Sequence, residues 1–381
     1  MATWQILVGD VRDGLSRLPD RSVRTCVTSP PYWGLRDYGV SGQLGLEVTP
    51  EAYVASMVSV FAAVRRVLAD DGTVWLNLGD SYNSASGSGN QSGILRYQEH
   101  HSYAESKQHE KIGRQPLIAN GMKVKDLVGI PWMVAFALRA DGWYLRSDII
   151  WSKPNPMPES VTDRPTKAHE YIFLLSKSKS YYYDAAAIAE PTSDAMLDQV
   201  EQGYDGEGTK DYEAAGVQNP SSVKARIIGN ARKRADQFGG SKYNGKNEQS
   251  GDRRKEGFNE RWDGKHSDGS VYTGSLTRNK RTVWAIPTQP YKGAHFATMP
   301  ESLIEPCILA GSAVGDTVLD PFTGSGTTGA VAIRHQRNFI GCELNPAYVE
   351  LARKRIGDIA PLLAQEREGT SAPIAELENQ V

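Results

Sequence analysis

The sequence predicts an α/β fold built on an open sheet, and two observations support this prediction. Short apolar runs that are typical of buried strands alternate with segments in which apolar residues recur at helical spacing. Polar or glycine-rich segments follow several of these runs, at Gly9-Asp10, at Ser29 to Trp33 and at Asp320 to Gly329. Because open α/β sheets bind ligands at the carboxyl ends of their strands, these segments are the candidate functional sites.

The predicted elements follow from these patterns in chain order. Thr49 before Pro50 is typical of a helix start, and the helix that it opens is predicted to stop at Asp71-Gly72. The predicted strands are Ile6–Val8, Val23–Val27, Thr73–Leu78, Trp143–Trp151, Glu170–Ser176, Thr317–Leu319 and Phe339–Cys342. The remaining predicted helices are Gly14–Leu18, Gly129–Leu138, Ser302–Leu309, Ala330–Ile333 and Ala347–Ile356.

Composition narrows the class of protein. The chain has 381 residues, 39% of them hydrophobic, and a formal net charge of −2, which is typical of a globular protein. No apolar run approaches the roughly 20 residues of a membrane span, and the first residues resemble no signal peptide, so we expect a cytoplasmic protein without membrane contact. The three cysteines lack the paired spacing of a zinc site, and we expect buried thiols and no metal: Cys26, Cys307 and Cys342.

The middle of the chain is polar and locally basic despite the near-neutral total. From Lys224 to Arg281 there are 15 Lys and Arg against seven Asp and Glu, with aromatic residues spread among them. Cationic side chains suit phosphates and aromatic rings suit bases, so the stretch predicts contact with double-stranded DNA. A solvated insertion with no DNA contact is the alternative. The candidate DNA-binding residues are Arg232, Lys233, Arg234, Arg253, Arg254 and Lys255.

The corner Ser29-Pro30-Pro31-Tyr32 is the candidate catalytic segment. Consecutive prolines have fixed φ angles and no backbone donors, so the carbonyl groups of Ser29 and Pro30 stay outside any helix and are available as acceptors. An exocyclic amine could donate to the Ser29 hydroxyl and to a proline carbonyl while Tyr32 stacks on its ring. The corner therefore fits a nucleobase, although a simple turn at the end of a strand would have the same residues.

The segment from Gly324 to Gly329 has the pattern G-x-G-x-x-G between a strand and a helix, and Glu343 follows 19 positions after Gly324. Glycines allow close approach of a ligand to the backbone, and an acid at this distance can accept ribose hydroxyls. This predicts a nucleoside-bearing cofactor, either NAD or S-adenosyl-L-methionine. Asp320 and Phe322 just before the first glycine favour the methyl donor, as does the chain ending about 50 residues later, too soon for a second mononucleotide half.

Together, Ser-Pro-Pro-Tyr at 29–32 and Asp-Pro-Phe-Thr-Gly-Ser-Gly-Thr-Thr at 320–328 resemble the DNA amino-methyltransferases, which methylate N4 of cytosine or N6 of adenine. Blocks at 129–132, 151–156, 163–166 and 169–177 are also similar to that family. The order of the two motifs, catalytic first and cofactor last, matches the permuted β subgroup. The resemblance covers most of residues 4–184 and 283–356.

The resemblance implies a Rossmann-like, seven-stranded, circularly permuted methyltransferase sheet with an inserted DNA-recognition region. It implies 1–184 as the catalytic half, including a flexible loop 81–126; 185–282 as the basic target-recognition insertion; 283–356 as the cofactor-binding half; and 357–381 as a mobile tail. The implied cofactor-binding residues are Asp10, Asp320, Phe322, Gly324, Gly326, Thr327, Glu343 and His295. For Asp10 a turn cap, and for His295 an ordinary satisfied histidine, stay open as alternatives.

We therefore expect a site-specific, S-adenosyl-L-methionine-dependent methyltransferase that flips a base out of duplex DNA. Serine at position 29, where adenine enzymes of the family usually have aspartate, favours N4 of cytosine over N6 of adenine. The motifs also leave open an NAD-dependent oxidoreductase and a methylase of RNA or protein amides. We further expect association with the nucleoid and a homodimer, because many members of the family pair.

Overall fold

The chain divides into two units in the computed structural model, residues 1–188 with 281–381 and residues 189–280. The structure describes residues 2–83, 122–191, 277–289, 299–359 and 364–366. In the second unit the described residues form one short antiparallel pair, which joins Glu190–Pro191 to Thr277–Arg278 (β6 and β7).

A nine-stranded sheet organises the described part of the first unit. Its strands are β1 (Ala2–Val8), β2 (Val23–Thr28), β3 (Leu68–Leu78), β4 (Tyr144–Ser152), β5 (His169–Ser176), β8 (Val283–Ala285), β9 (Thr317–Asp320), β10 (Asn338–Glu343) and β11 (Ala364–Glu366). They lie in the order β11-β1-β10-β9-β2-β3-β5-β4-β8. Within this described sheet only β5 runs antiparallel to its neighbours. The seven expected strands form the centre, and the short β8 and β11 extend the two edges.

Six helices in the described part cover the two faces of this sheet. They are α1 (Val11–Ser16), α2 (Pro50–Val67), α3 (Ile130–Ala140), α4 (Glu301–Gly311), α5 (Thr327–Arg334) and α6 (Pro346–Ile359). The first three helices share one hydrophobic core with one face, and the last three share a second core with the other. Neighbouring residues on a strand point to opposite faces, so Cys26 of β2 belongs to the first core and Val27 to the second.

Two boundaries differ from the sequence prediction. Helix α2 ends at Val67 rather than at Asp71-Gly72, because Leu68 is extended and fully buried and already pairs with Val23 of β2. The acidic stretch that suggested a helix stop is the exposed beginning of β3. In the predicted mobile tail, α6 continues to Ile359 and residues 364–366 pair with β1, which provides an open strand edge for them.

The two cores bury all three cysteines as thiols outside any disulfide, as the sequence predicted. Among the described residues, every helix is too short or too polar to cross a bilayer. Within the same ranges, His, Cys, Asp and Glu side chains form no group of three or more that could hold a metal ion.

Candidate active site

Four adjacent strand ends build the candidate site. Strands β1, β10, β9 and β2 are neighbours and parallel, so the segments that follow them meet at one edge of the sheet. These segments line a cleft with an empty volume of about 980 Å³, part of which is open to solvent. Ser29 and Pro31 line this cleft together with Phe322 and Gly324, although about 290 residues separate the two loops in sequence.

Asp320 joins the two loops. Its carboxylate is buried and accepts hydrogen bonds from the hydroxyl of Thr28, at 2.7 Å, and from the backbone N–H of Phe322, at 3.1 Å. Burial raises the pKa of Asp320 to about 6, although these hydrogen bonds favour the ionised form. The last residue of β2 is therefore fixed directly to the start of the glycine loop.

Glu343 faces the same cleft from the end of β10. Its two oxygens accept one backbone N–H each, from Gly324 at 2.8 Å and from Asn345 at 2.8 Å. Burial raises the pKa of this carboxyl group, against the effect of the backbone hydrogen bonds. A carboxylate oxygen has two acceptor positions, so both oxygens retain acceptor capacity for a ligand.

The remaining cofactor candidates differ in their surroundings. Asp10 lines the cleft, but it also caps α1 by accepting from the Arg12 N–H at 2.8 Å, and its carboxylate pairs with the Arg12 guanidinium. The Arg12 hydrogen bond lowers the pKa of Asp10. Thr327 lines the cleft and accepts from Arg355 at 2.7 Å. Thus the turn cap proposed as an alternative for Asp10 is present in the structure.

Gly326 has a packing role that the sequence did not suggest. It is absent from the cleft lining, and a Cβ atom there would lie 2.9 Å from the backbone and side chain of Ala352 in α6. Its φ of +78° is also a conformation that glycine adopts readily. The missing side chain therefore permits close packing of α5 on α6, and the predicted role of Gly326 at the cofactor stays a prediction.

The catalytic candidate Ser29 lies at the start of a partly buried polar network. Its hydroxyl donates to the Tyr32 hydroxyl at 3.4 Å and accepts from the Asn77 amide at 3.3 Å. Asn77 also donates to the Tyr32 oxygen at 2.7 Å, and Tyr32 donates to Glu170 at 2.7 Å. Burial raises the pKa of Tyr32 well above its usual value. This hydroxyl is consequently a neutral donor at physiological pH.

Glu170, the second residue of β5, is the partly buried anion of this network. Its other oxygen pairs with the Lys153 ammonium group, which follows β4 and lies 4.3 Å from the centre of the Trp151 ring. Burial alone would raise the pKa of Glu170, but Lys153 and the hydrogen bonds from Tyr32 and Asn77 outweigh it and lower the pKa. Sequence reasoning missed Asn77 and the roles of Glu170 and Lys153. The only signal for Glu170 and Lys153 is that 151–156 and 169–177 resemble blocks of the family, and Asn77 lies outside both blocks.

The prolines of the corner have different environments. Pro30 is buried, and no hydrogen bond among the described residues uses its carbonyl oxygen. The carbonyl oxygen of Pro31 accepts from the Tyr53 hydroxyl at 2.9 Å. The Tyr32 ring is absent from the cleft lining and packs closely against Gly79, where a Cβ atom would lie 2.5 Å from its Cε2 atom. The corner is therefore held by contacts on several sides.

Several predicted site residues lie outside the described ranges. They are His295, the six basic residues Arg232, Lys233, Arg234, Arg253, Arg254 and Lys255, and most of the loop 81–126.

The cleft has the features that a nucleoside-bearing cofactor requires. Glu343 can accept ribose hydroxyls, and Gly324, at φ +53°, gives a ligand access to the loop backbone. Tyr38 and Tyr348 form an edge-to-face pair, 6.2 Å between ring centres, that adds aromatic surface to the wall. Tyr38 belongs to the segment after the Ser-Pro-Pro-Tyr corner and was not predicted to contribute.

Comparisons with known proteins agree with this geometry. A family model described as DNA methylase, for the N6 and N4 enzymes, matches residues 23–354. The chain is 40% identical over 348 residues to the Type II methyltransferase M.Cfr9I of Citrobacter freundii, covering 91% of this chain and 86% of that one. It is 39% identical over 356 residues to the Type II methyltransferase M.SmaI of Serratia marcescens, covering 93% and 91%.

Two solved structures resemble the chain in fold. A DNA modification methylase of Thermus thermophilus, crystallised with S-adenosyl-L-methionine, aligns with a TM-score of 0.52 at 21% identity and covers 97% of this chain and all of that one. The cytosine-N4-specific PvuII DNA methyltransferase aligns with a TM-score of 0.50 at 17% identity and covers 96% and 95%. The chain thus belongs to the N6/N4 DNA methylase family and is a Type II DNA methyltransferase that uses S-adenosyl-L-methionine.

Proposed function

We propose that this methyltransferase modifies N4 of a cytosine that is flipped out of duplex DNA, with N6 of adenine as the alternative. The observation that carries the proposal is the position of Ser29, which lines the same cleft as the cofactor loop. An amino group bound at Ser29 is therefore next to the site where Phe322, Gly324 and Glu343 hold the cofactor. A base inside the duplex cannot reach this edge of the sheet, which is why flipping is part of the proposal.

The corner offers acceptors for both amine hydrogens. The Ser29 hydroxyl accepts one. We assign the other to the carbonyl oxygen of Pro30, which is unused among the described hydrogen bonds, although Pro30 itself is buried and not among the residues that line the cleft. Two such bonds draw the nitrogen towards tetrahedral geometry and direct its lone pair into the cleft. The proposal also has Tyr32 stack on the ring, which requires the base to extend beyond the described cleft lining towards Tyr32. Bound S-adenosyl-L-methionine supplies an electrophilic methyl group on a positively charged sulfur, and the protein contributes orientation and a preorganised polar site.

Serine at position 29 favours cytosine, because aspartate at this place is the usual mark of the adenine enzymes that the sequence resembles. A neutral hydroxyl can nevertheless accept a hydrogen bond from either amine. We would test the base by expressing the protein in a methylation-free host and digesting the DNA to nucleosides for mass spectrometry. N4-methylcytosine is the expected product, whereas N6-methyladenine would establish the alternative and overturn the proposal for cytosine.

Family membership decides against the NAD-dependent oxidoreductase and against methylation of RNA or protein amides. It leaves open which part of the chain reads the DNA sequence. We assign target recognition to the basic insertion 185–282, assisted by the loop 81–126, because cations and aromatic residues are concentrated in the insertion.

Replacing Arg232, Lys233 and Arg234 together by alanine tests this assignment. If each contacts one phosphate, the slope of log affinity for DNA against log salt concentration should become shallower by about 2.7. Alanine at the exposed Lys179 and Lys354 is the matched control, and it should leave the slope unchanged. An unchanged slope in the triple variant, measured by fluorescence anisotropy at four salt concentrations, would remove these residues from the interface.

Two further expectations belong to the same proposal. Association with the nucleoid follows from duplex DNA as substrate, and fluorescence microscopy of a tagged protein would show it. A homodimer is proposed from the resemblance alone, and sedimentation velocity at micromolar concentration would detect it.

A further inference from the structure

Methylation of an amino group releases a proton that the site must accept. The amino nitrogen forms a bond to the methyl carbon, the carbon–sulfur bond breaks, and its electron pair stays on sulfur. The nitrogen is then positively charged and has one proton too many. An aromatic amine in this state is a strong acid, so any acceptor connected to it by hydrogen bonds can receive the proton.

We propose that Tyr32 and Glu170 form a proton exit path that begins at Ser29. This inference rests on the proposed function, because it requires the amino group to bind at the Ser29 hydroxyl. The path has two links, 3.4 Å from Ser29 Oγ to Tyr32 Oη and 2.7 Å from Tyr32 Oη to Glu170 Oε2. Both links run from donor to acceptor in the direction that leads away from the cleft.

Proton transfer along this path balances without another reactant. The amine proton moves to Ser29 Oγ, the proton of that hydroxyl moves to Tyr32 Oη, and the tyrosine proton moves to Glu170. At the end Glu170 is a neutral carboxylic acid and both hydroxyl groups are restored. The reverse sequence, or exchange with water after the product leaves, returns Glu170 to its ionised form.

The surroundings of Glu170 keep it ready to accept. The groups facing it are the Lys153 ammonium after β4, the Asn77 amide on β3 and the Tyr32 hydroxyl, and Lys167 contributes a further positive charge nearby. Lys167 itself donates to the backbone carbonyl of Asp80 at 2.6 Å. The lowered pKa of Glu170 means that its carboxylate is ionised at neutral pH.

Asn77 gives the path its direction. Its amide donates to the Tyr32 oxygen, so that oxygen already accepts a hydrogen bond and directs its own proton to Glu170. Chains of hydrogen bonds polarise each other in this way in a low-dielectric interior. Glu170 does not touch the base and acts through Ser29, so it is a positioning and proton-accepting residue rather than a catalytic one.

A purely structural role for the network is the competing explanation. In that case Glu170 and Lys153 only hold Tyr32 in place, and their removal slows the reaction equally at every pH. The exit path requires ionised Glu170, so the methyl-transfer rate must fall as the pH drops through its pKa. The two explanations therefore differ in the pH profile.

The first experiment measures single-turnover methyl transfer in Glu170→Gln and Tyr32→Phe. Each should slow the step by roughly 10²-fold, the usual contribution of a proton-transfer group. The dissociation constants for S-adenosyl-L-methionine and DNA should stay within about twofold. Because both residues serve one path, the double variant should be no slower than the slower single variant. The path would be overturned if the two rate losses multiply in the double variant, or if either single variant keeps a rate within about threefold of wild type.

The second experiment moves the pKa of Glu170 without removing the carboxylate. In Lys153→Met the compensating cation is lost and burial dominates, so the acid limb of the rate profile should shift to higher pH. Nuclear magnetic resonance of glutamate labelled with ¹³C at the carboxyl group should show the same shift for the resonance that Glu170→Gln removes. Lys179→Met, the same change at an exposed residue beyond β5, is the control and should shift neither.

The outcomes separate the path from the proposed function. A loss in Lys153→Met that is equal at every pH would support the structural role and overturn the path, even if the product is N4-methylcytosine. If mass spectrometry finds no methylated exocyclic amine in the DNA, the proposed function itself is overturned. If Glu170→Gln does not fold, Tyr32→Phe and Lys153→Met still decide, because each retains the Glu170 side chain.

Discussion

Asp320 should make the folded protein less stable at neutral pH than the same chain with asparagine at this position. The carboxylate is buried where β2 meets β9, and its folded-state pKa of about 6 lies above the unperturbed 3.8. The folded state therefore binds the proton more tightly than the unfolded state. The sign follows: ionisation of Asp320 costs stability, and this cost grows as the pH rises from 3.8 to 6.

The magnitude follows from the two pKa values. A difference of about 2.2 units at about 1.36 kcal/mol per unit gives a cost of roughly 3 kcal/mol well above pH 6. At pH 5 the unfolded group is ionised and the folded group is mostly protonated, so the cost is only about 1.6 kcal/mol. Asp320→Asn removes the charge, while Asn Oδ1 can still accept from Thr28 and Phe322. The gain in free energy of unfolding of the variant over wild type should therefore be about 1.4 kcal/mol larger at pH 8 than at pH 5.

Urea denaturation of both proteins at pH 5 and pH 8 measures this difference. Asp358→Asn, at an exposed position in α6, controls for the loss of one negative charge and should show no such dependence. A gain that is equal at the two pH values, or larger at pH 5, would refute the argument that burial controls this carboxyl group. A buried carboxylate that lowers stability where β2 meets β9 is consistent with a binding role, since functional sites often reduce stability.

Two further variants address the two sides of the cleft. In Glu343→Gln an amide NH₂ replaces one oxygen and faces a backbone donor, so the dissociation constant for S-adenosyl-L-methionine, measured by calorimetry, should rise roughly 10-fold to 100-fold. Glu350→Gln on the exposed surface of α6 is the control and should leave this constant unchanged. An unchanged constant in Glu343→Gln would exclude Glu343 from the cofactor site. In Gly79→Ala the new Cβ displaces the closely packed Tyr32 ring, so single-turnover methyl transfer should slow by up to roughly 10²-fold while cofactor affinity is retained. Gly357→Ala, where a Cβ meets nothing within 4 Å, is its control, and equal rates in the two glycine variants would contradict the role of the Tyr32 position.

The fold was largely predictable because the chain has strong local signals. Thr49 does cap α2 by accepting from Ala52, and Pro50 occupies the first turn, as the sequence indicated. The end of α2 was not predictable, since Leu68 leaves the helix only because β2 offers it a partner. Strand β11 was missed for the same reason, because its three residues gain their order from pairing with β1.

Site residues that belong to one continuous motif could be predicted from the sequence. Site residues that matter only through a tertiary contact could not. The two motifs meet in one cleft, as their places at strand ends suggested. Asn77 was hidden inside an apolar strand, and only its contacts with Ser29, Tyr32 and Glu170 identify it. Gly326 has a role that its motif did not reveal, because the absence of a side chain there is needed for helix packing against Ala352.

The catalytic and cofactor halves distinguished in the sequence are not independent structures. Strands β10 and β9 come from the second half, but they lie between β1 and β2, which come from the first. Removing residues 283–356 would therefore expose an edge of β1 and an edge of β2 at once. The hydrogen bond from Thr28 to Asp320 crosses one of these seams beside the cleft. Because each half completes the sheet of the other, the proposed acceptor for the base, Ser29, and the proposed cofactor loop can only be positioned together.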